Sequence, residues 1–220
     1  MQDYFRTQAI GSNKRNRTRS ALIDCAIGVF SEKGIEEASI QEITAVAGMA
    51  NGTFYNHFQD KDALVRASSE AIVFEIAKAL DTQMRDLERG VSRIVVASWA
   101  FLKIAHSQRA WAAVLLGQYI RFPNADAPAF AYLKSDIQRA VDQGELDVEV
   151  DTFLVEQIAA LMMAALRRLL HAGLEEAVLE RTCEYILRLL GQTTAQARRE
   201  VTRVREHAVV QSSSGLLLPL

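Results

Sequence analysis

Residues 39–64, SIQEITAVAGMANGTFYNHFQDKDAL, constrain this chain more than any other stretch. They read as two short helices joined by a tight turn, followed at once by the start of a third. Ser39 and Glu42 have the S-x-x-E spacing of a capping box, which opens the first helix. Ile40, Ile43 and Val46, with Ala47, fall at helical spacing and predict one buried face. Gly48 stands where the chain must turn, and glycine tolerates the left-handed backbone that ends a helix. Asn51 suits the N-cap of the next helix, Gly52 to Phe58, which is too short to be stable alone. Neighbours must hold it. Its surface carries hydrogen-bonding groups (Asn51, Thr53, Tyr55, Asn56 and His57), as a helix that reads a major groove requires.

Phe30, Gly34, Ser39, Ile40, Ile43, Ala47, Gly48, Gly52, Thr53, Phe54, Tyr55, His57, Phe58, Lys61 and Leu64 follow one another without a gap in spacing. Over about residues 15–65 this pattern resembles the DNA-binding signature of the TetR family of bacterial transcriptional regulators. A bare helix-turn-helix pattern is imitated by many helical hairpins. The G-T-F-Y-x-H-F-x-x-K run is more restrictive, because buried aromatics, polar contacts and a lysine are all placed. Thr44 and Ala50 depart from the pattern, which more often has alanine and a serine or threonine there.

Position by position, the resemblance implies DNA contacts from Thr53 and Tyr55, and phosphate contacts from His57 and Lys61. Asn51 sits where an amide can pair with adenine or phosphate. Ser39 and Gln41 are candidates for backbone contacts from the preceding helix. Phe54 and Phe58 are expected to face the core. The alternative role for Tyr55 is packing, with its hydroxyl exposed.

The 220 residues carry a net charge of −2, which is not the basic balance of an ordinary nucleic-acid binder. The distribution matters more: residues 1–20 hold Arg6, Lys14, Arg15, Arg17 and Arg19 against Asp3 alone. Such a run reads as a solvated arm whose last part meets phosphate. No apolar stretch is long enough for a transmembrane helix, and the N-terminus lacks the apolar core of a secretory signal. Cys25 and Cys183 lie far apart within helical patterns and read as small buried hydrophobes in a reducing compartment. The expected location is the cytoplasm, with no membrane partner.

The periodicity predicts an all-α fold: an N-terminal three-helix helix-turn-helix domain joined by a long helix to a helical ligand-binding and dimerisation domain. The expected division is a disordered arm at 1–14, the DNA-binding domain at 15–63, the second domain at 64–208 and a disordered tail at 209–220. Predicted helices run from about Arg17 to Lys33, Lys61 to Glu88, Val91 to Ser107 and Arg109 to Tyr119. Others end near Gln143, His171 and Leu190, and a further one covers about Thr194–His207. Residues 121–128, RFPNADAP, read as a loop. LDVEV at 146–150 alternates like a strand, but a lone strand has no partner, so it reads as a loop running into a cap at Asp151.

The helices at 151–171 and 174–190 look too apolar for intrachain neighbours alone to cover. A homodimer packing two helices from each subunit into a four-helix bundle resolves this. The candidates are Ile158, Met162, Ala165 and Leu169, then Val178, Ile186 and Leu189; each also reads as ordinary core. A two-fold dimer would set two reading helices about 34–36 Å apart or somewhat more, and so predicts a near-palindromic double-stranded operator. The family usually holds a small molecule among the helices of its second domain. Phe74, Trp99, His106, Trp111, Tyr119, Phe122 and Met162 are the candidate lining, although aromatic and methionine side chains at this spacing are more often plain core. No positive cluster lies among these helices, which favours an uncharged or aromatic inducer.

Three classes of function stay in play. One is a ligand-responsive regulator, foremost a repressor released by its inducer. The second is an enzyme on a helical scaffold. Against it, G-x-S-x-G, P-loop, H-E-x-x-H and C-x-x-C motifs are all missing, and His57, His106, His171 and His207 have no metal-ligand spacing. No cofactor or metal is implied. The third is a helical small-molecule-binding or interaction protein that kept the head without specific DNA reading, which the intact Thr53–Tyr55–His57–Lys61 set opposes.

Overall fold

The computed structural model describes residues 4–9, 11–121 and 130–212, with side chains up to 206. The described residues form α1 (Tyr4–Gln8), α2 (Lys14–Lys33), α3 (Ile40–Val46), α4 (Asn51–Tyr55), α5 (Lys61–Gln83), α6 (Gly90–Ser107), α7 (Arg109–Arg121), α8 (Ala131–Asp142), α9 (Thr152–Ala172), α10 (Glu176–Leu189) and α11 (Thr194–Ser212). No strand occurs among them, LDVEV included, where only Leu146 is buried. The all-α expectation holds. The chain divides into two compact units, Met1–Ile72 with Gln108–Pro123, and Val73–Ser107 with Asn124–Leu220.

In the first unit, α2 is the central element. It buries Leu22, Ile23, Ala26, Ile27, Val29 and Phe30, and both α3 and α7 pack on it. From the sequence, α7 counts with the second domain. The folded chain instead places it in the first unit, because its apolar Trp111, Val114 and Leu115 are buried there. The stretch read as a disordered arm is also partly ordered. Its short α1 is held at its N-terminus by the buried Asp24 carboxylate, which accepts from the Phe5 amide at 3.0 Å and the Arg6 amide at 2.8 Å. The first amides of a helix have no partner within it, so a carboxylate placed there both satisfies them and favours their dipole. Phe5 is buried, and the Tyr4 and Phe5 rings lie 5.4 and 6.1 Å from that of Trp111.

In the second unit, α6 packs against α8, α9, α10 and α11. Its apolar core includes Ile94, Leu102, Ile137, Ile158, Leu166 and Leu169. A buried ion pair crosses this core. Arg93 Nε donates to Asp136 Oδ1 at 2.5 Å, Nη2 to Asp81 Oδ1 at 2.6 Å and Nη1 to the Met84 carbonyl at 2.6 Å. Burial pushes the Asp136 carboxyl above its usual range, opposed by the Arg93 guanidinium. The Met84 carbonyl is thus taken just where α5 stops. The helix ends at Gln83 rather than near Glu88, and a turn leads to Gly90, whose amide donates to the Gln143 side chain at 2.9 Å. At the far end, α11 continues to Ser212, past the expected boundary at 208; residues 213–220 of the expected tail lie outside the described residues.

Removing one member of a buried ion pair strands the other. Arg93→Met should therefore destabilise the fold by about 3–5 kcal/mol, read from urea unfolding.

Candidate nucleic-acid interface

The head is built around α4, five residues long and unable to persist alone. Two aromatics anchor it. Phe54 is fully buried and Phe58 nearly so, with ring centroids 5.7 Å apart. Tyr55, one residue on from Phe54, turns outward and is 60% exposed. A phenol with this much free surface next to a buried anchor is placed to be read by a partner. Thr53 is half-buried, whereas Asn51 and Asn56 are exposed.

The capping box at the start of α3 forms as its sequence predicts. Ser39 Oγ accepts from the Glu42 amide at 3.2 Å, and the Glu42 carboxylate accepts from the Ser39 amide at 3.1 Å. The Lys33 ammonium also binds Glu42, and with the Ser39 bonds it holds that carboxyl down to about 2. Ser39 is therefore committed to its own helix, while Gln41 is exposed. Gly48 has φ 66°, the left-handed turn between the two helices. Val46, placed by spacing on the buried face, is 57% exposed. At about 100° per residue it lies about 200° round from Thr44, which takes the inward position beside Ile43 instead.

Asn51 departs from its expected capping role. The N-cap is Ala50, which makes no side-chain capping bond, and Asn51 is the first residue of the helix. Its Oδ1 accepts from the Thr44 hydroxyl at 2.5 Å, a bond between α3 and α4. Thr44 and Asn51 together thus fix the angle between the two helices. The hydroxyl at Thr44, one of the two departures from the family pattern, has a structural use.

Lys61 is likewise placed differently from the phosphate contact implied by the resemblance. Its ammonium donates to the carbonyls of Ile35, Glu36 and Ala38 at 2.8, 2.9 and 3.0 Å. A lysine has three N–H donors, and all three are used within the head. It serves as a post holding the loop between α2 and α3. Lys61→Met should cost about 1.5–3 kcal/mol in thermal or urea unfolding, whereas a lysine that only touched phosphate would leave stability unchanged.

His57 is half-buried, and its Nδ1 has no hydrogen-bond partner among the described residues. Burial first, then the charges of Arg15 and Arg19, pushes its imidazole below the ordinary 6.5. Arg19 also lies over the Phe58 ring, 5.1 Å from its centroid. Arg15 and Arg19 thus form a cationic margin beside α4, with the His57 imidazole against it. Because the folded state resists the proton more than the unfolded chain does, His57 favours folding above pH 6.5 and loses that contribution as pH falls further. His57→Gln should flatten the acid-side loss of stability below pH 6.5, followed by urea midpoints across that range.

The remaining candidates scatter. Trp111 is enclosed by α1 and belongs to the first unit, so it is not a lining residue of the second domain. Phe74 is 44% exposed, its ring 6.4 Å from that of Tyr132. Trp99 and Tyr119 are half-buried, and Met162 is buried. Phe122 lies outside the described residues. His106 is half-buried, and its enclosed Nε2 has no hydrogen-bond partner among the described residues. Of the dimer candidates, Ile158, Met162, Ala165, Leu169 and Ile186 are enclosed by this chain's own helices and cannot form an outer face. Val178 is half-buried, and Leu189 is exposed. Phe153, part of the wide apolar surface of the helix at 151–171, is exposed on α9; sequence reasoning missed Tyr185, exposed on α10, which a helical wheel centred away from Ile186 would have found. No group of three metal-ligating side chains occurs among the described residues.

Comparison with known proteins converges on the same head. Residues 22–68 match the family model for bacterial regulatory proteins of the tetR family. A 52-residue segment is 46% identical to the uncharacterized HTH-type transcriptional regulator YvdT of Bacillus subtilis, covering 24% of this chain and 27% of that protein. The HTH-type transcriptional regulator UidR of Escherichia coli is 22% identical over 168 residues, covering 72% of this chain and 81% of UidR. The crystal structure of RolR in complex with resorcinol superposes with a TM-score of 0.66 at 24% identity, over 86% of this chain and 95% of RolR.

Proposed function

This chain belongs to the TetR family of bacterial regulatory proteins, and we propose that it acts as a repressor, binding a near-palindromic operator as a homodimer and released by a small-molecule inducer. The observation that carries the reading is α4: a five-residue helix pinned by Phe54 and by the Thr44–Asn51 bond, presenting Tyr55 outward. Tyr55, Thr53 and Asn51 supply the groove contacts, and Gln41 meets the DNA backbone. Arg15, Arg19 and His57 supply the phosphate contacts that set register and affinity.

The dimer would use the outer rather than the enclosed faces of α9 and α10. Phe153, Tyr185 and Leu189 are exposed there, and Leu161, Tyr185 and Leu189 line one shallow groove. An inducer works by binding one dimer geometry better than the other, and DNA affinity falls by that difference. The free, enclosed Nε2 of His106 supports an uncharged ligand that carries a hydroxyl, and the fold shared with a resorcinol-binding protein supports an aromatic one.

The test is fluorescence anisotropy with duplexes selected from a randomised library, at two salt concentrations, with scrambled DNA as control. Selective binding should fall at least about tenfold in Tyr55→Ala. Binding that is indifferent to sequence and abolished by moderate salt would leave only electrostatic attraction and would sink the reading.

A further inference from the structure

The loop between α2 and α3 determines where the helix-turn-helix begins. It runs from Gly34, the C-cap of α2, to Ser39, the N-cap of α3. Ile35 and Ala38 are buried and Glu36 is exposed. Three of its carbonyls go to Lys61 on α5, as described above. The other side of the loop meets the last turns of α7. A Cβ built on Gly117 would lie 2.5 Å from Ile35 Cδ1, the tip of a buried side chain, so a larger residue here must push that tip aside. One turn later, Arg121 binds the Glu36 carboxylate through Nη1 and the Asp62 carboxylate through Nε, the latter at 3.0 Å. Asp62 adjoins Lys61 in the first turn of α5.

We propose that Gly117 and Arg121 of α7 are positioning residues for DNA reading: they set the height of the α2–α3 loop, and with it the seating of α3 and α4, without touching DNA. This rests on the DNA-binding reading above. The two contacts differ in kind. Gly117 on Ile35 is a steric stop, which fixes how near α7 can come. Arg121 is a partly exposed bridge to two carboxylates, and such bridges contribute little to stability. It works as a weak latch that keeps α7 against the stop. A shift of α7 of an ångström or so would release the latch and let the loop move on its Lys61 post.

The test compares Gly117→Val, Arg121→Gln and the double variant Gly117→Val/Ile35→Ala. Two readouts are taken on the full chain: affinity for the selected duplex against scrambled DNA, and hydrogen exchange of the amides at 39–47 without DNA. Gly117→Val should lower selective affinity about tenfold. Scrambled-DNA affinity and the salt slope should not change, since no phosphate contact is lost. The α3 amides should exchange faster. Removing the opposing side chain in the double variant should restore both readouts. Arg121→Gln, a surface change that should fold normally, should move both in the same direction by a few-fold. Unchanged α3 exchange and affinity in both single variants would overturn the proposal, and so would a shallower salt slope in Arg121→Gln, which would mark a direct phosphate contact. If the unaltered chain selects no duplex, the DNA reading fails, while the exchange comparison still decides whether α7 governs the loop.

Discussion

Helix α4 exists because Phe54 is buried. Five residues cannot pay back the cost of nucleating a helix from their own hydrogen bonds. Burying a phenylalanine contributes on the order of 1.5–3 kcal/mol, which is the scale needed to hold such a short element in place. Much else in the head follows from that anchor. Phe58 packs beside it, Arg19 lies over Phe58, and Tyr55 faces outward because its neighbour in sequence faces inward. The polar bonds then refine an orientation that apolar burial has already set: Thr44 to Asn51 across the turn, and Lys61 to the carbonyls of the preceding loop.

Charge is used in two ways in this molecule. In the second unit it is paired around a few buried groups. Arg93 is shared between Asp136 and Asp81, while Arg89 bridges Glu145 and Glu200, and Glu200 also binds Ser92 and Arg203. Such networks tie α6 to the helices around it. In the first unit, Arg15 and Arg19 stand beside His57, whose Nδ1 has no acceptor among the described residues. A near-neutral total therefore conceals one face where cations gather, which net charge alone does not reveal.

The helices were legible because periodicity and punctuation agree. Ser39 and Glu42, Gly48 and Asp151 mark boundaries that the backbone respects. The inward aromatics Phe54 and Phe58 were legible for the same reason. What escaped was whatever depends on which neighbour a side chain meets. Nothing local distinguishes a lysine aimed at phosphate from one aimed at three carbonyls some 25 positions earlier in the chain. Ile158, Leu169 and Ile186 fit an outer face as well as an inner one by pattern alone; only the packing of α6 and α10 on α9 decides it. Likewise, Trp111 looked like a cavity wall because its partners, Tyr4 and Phe5, sat in a segment too polar to suggest a helix.

That last contact bears on how the protein is handled. Trimming the first dozen residues, as one would for a floppy leader, strips two aromatic walls from an indole and removes two amides that donate to the Asp24 carboxylate. The shortened chain would carry an oily notch on the surface of its first unit. A purification tag is better placed at the other terminus.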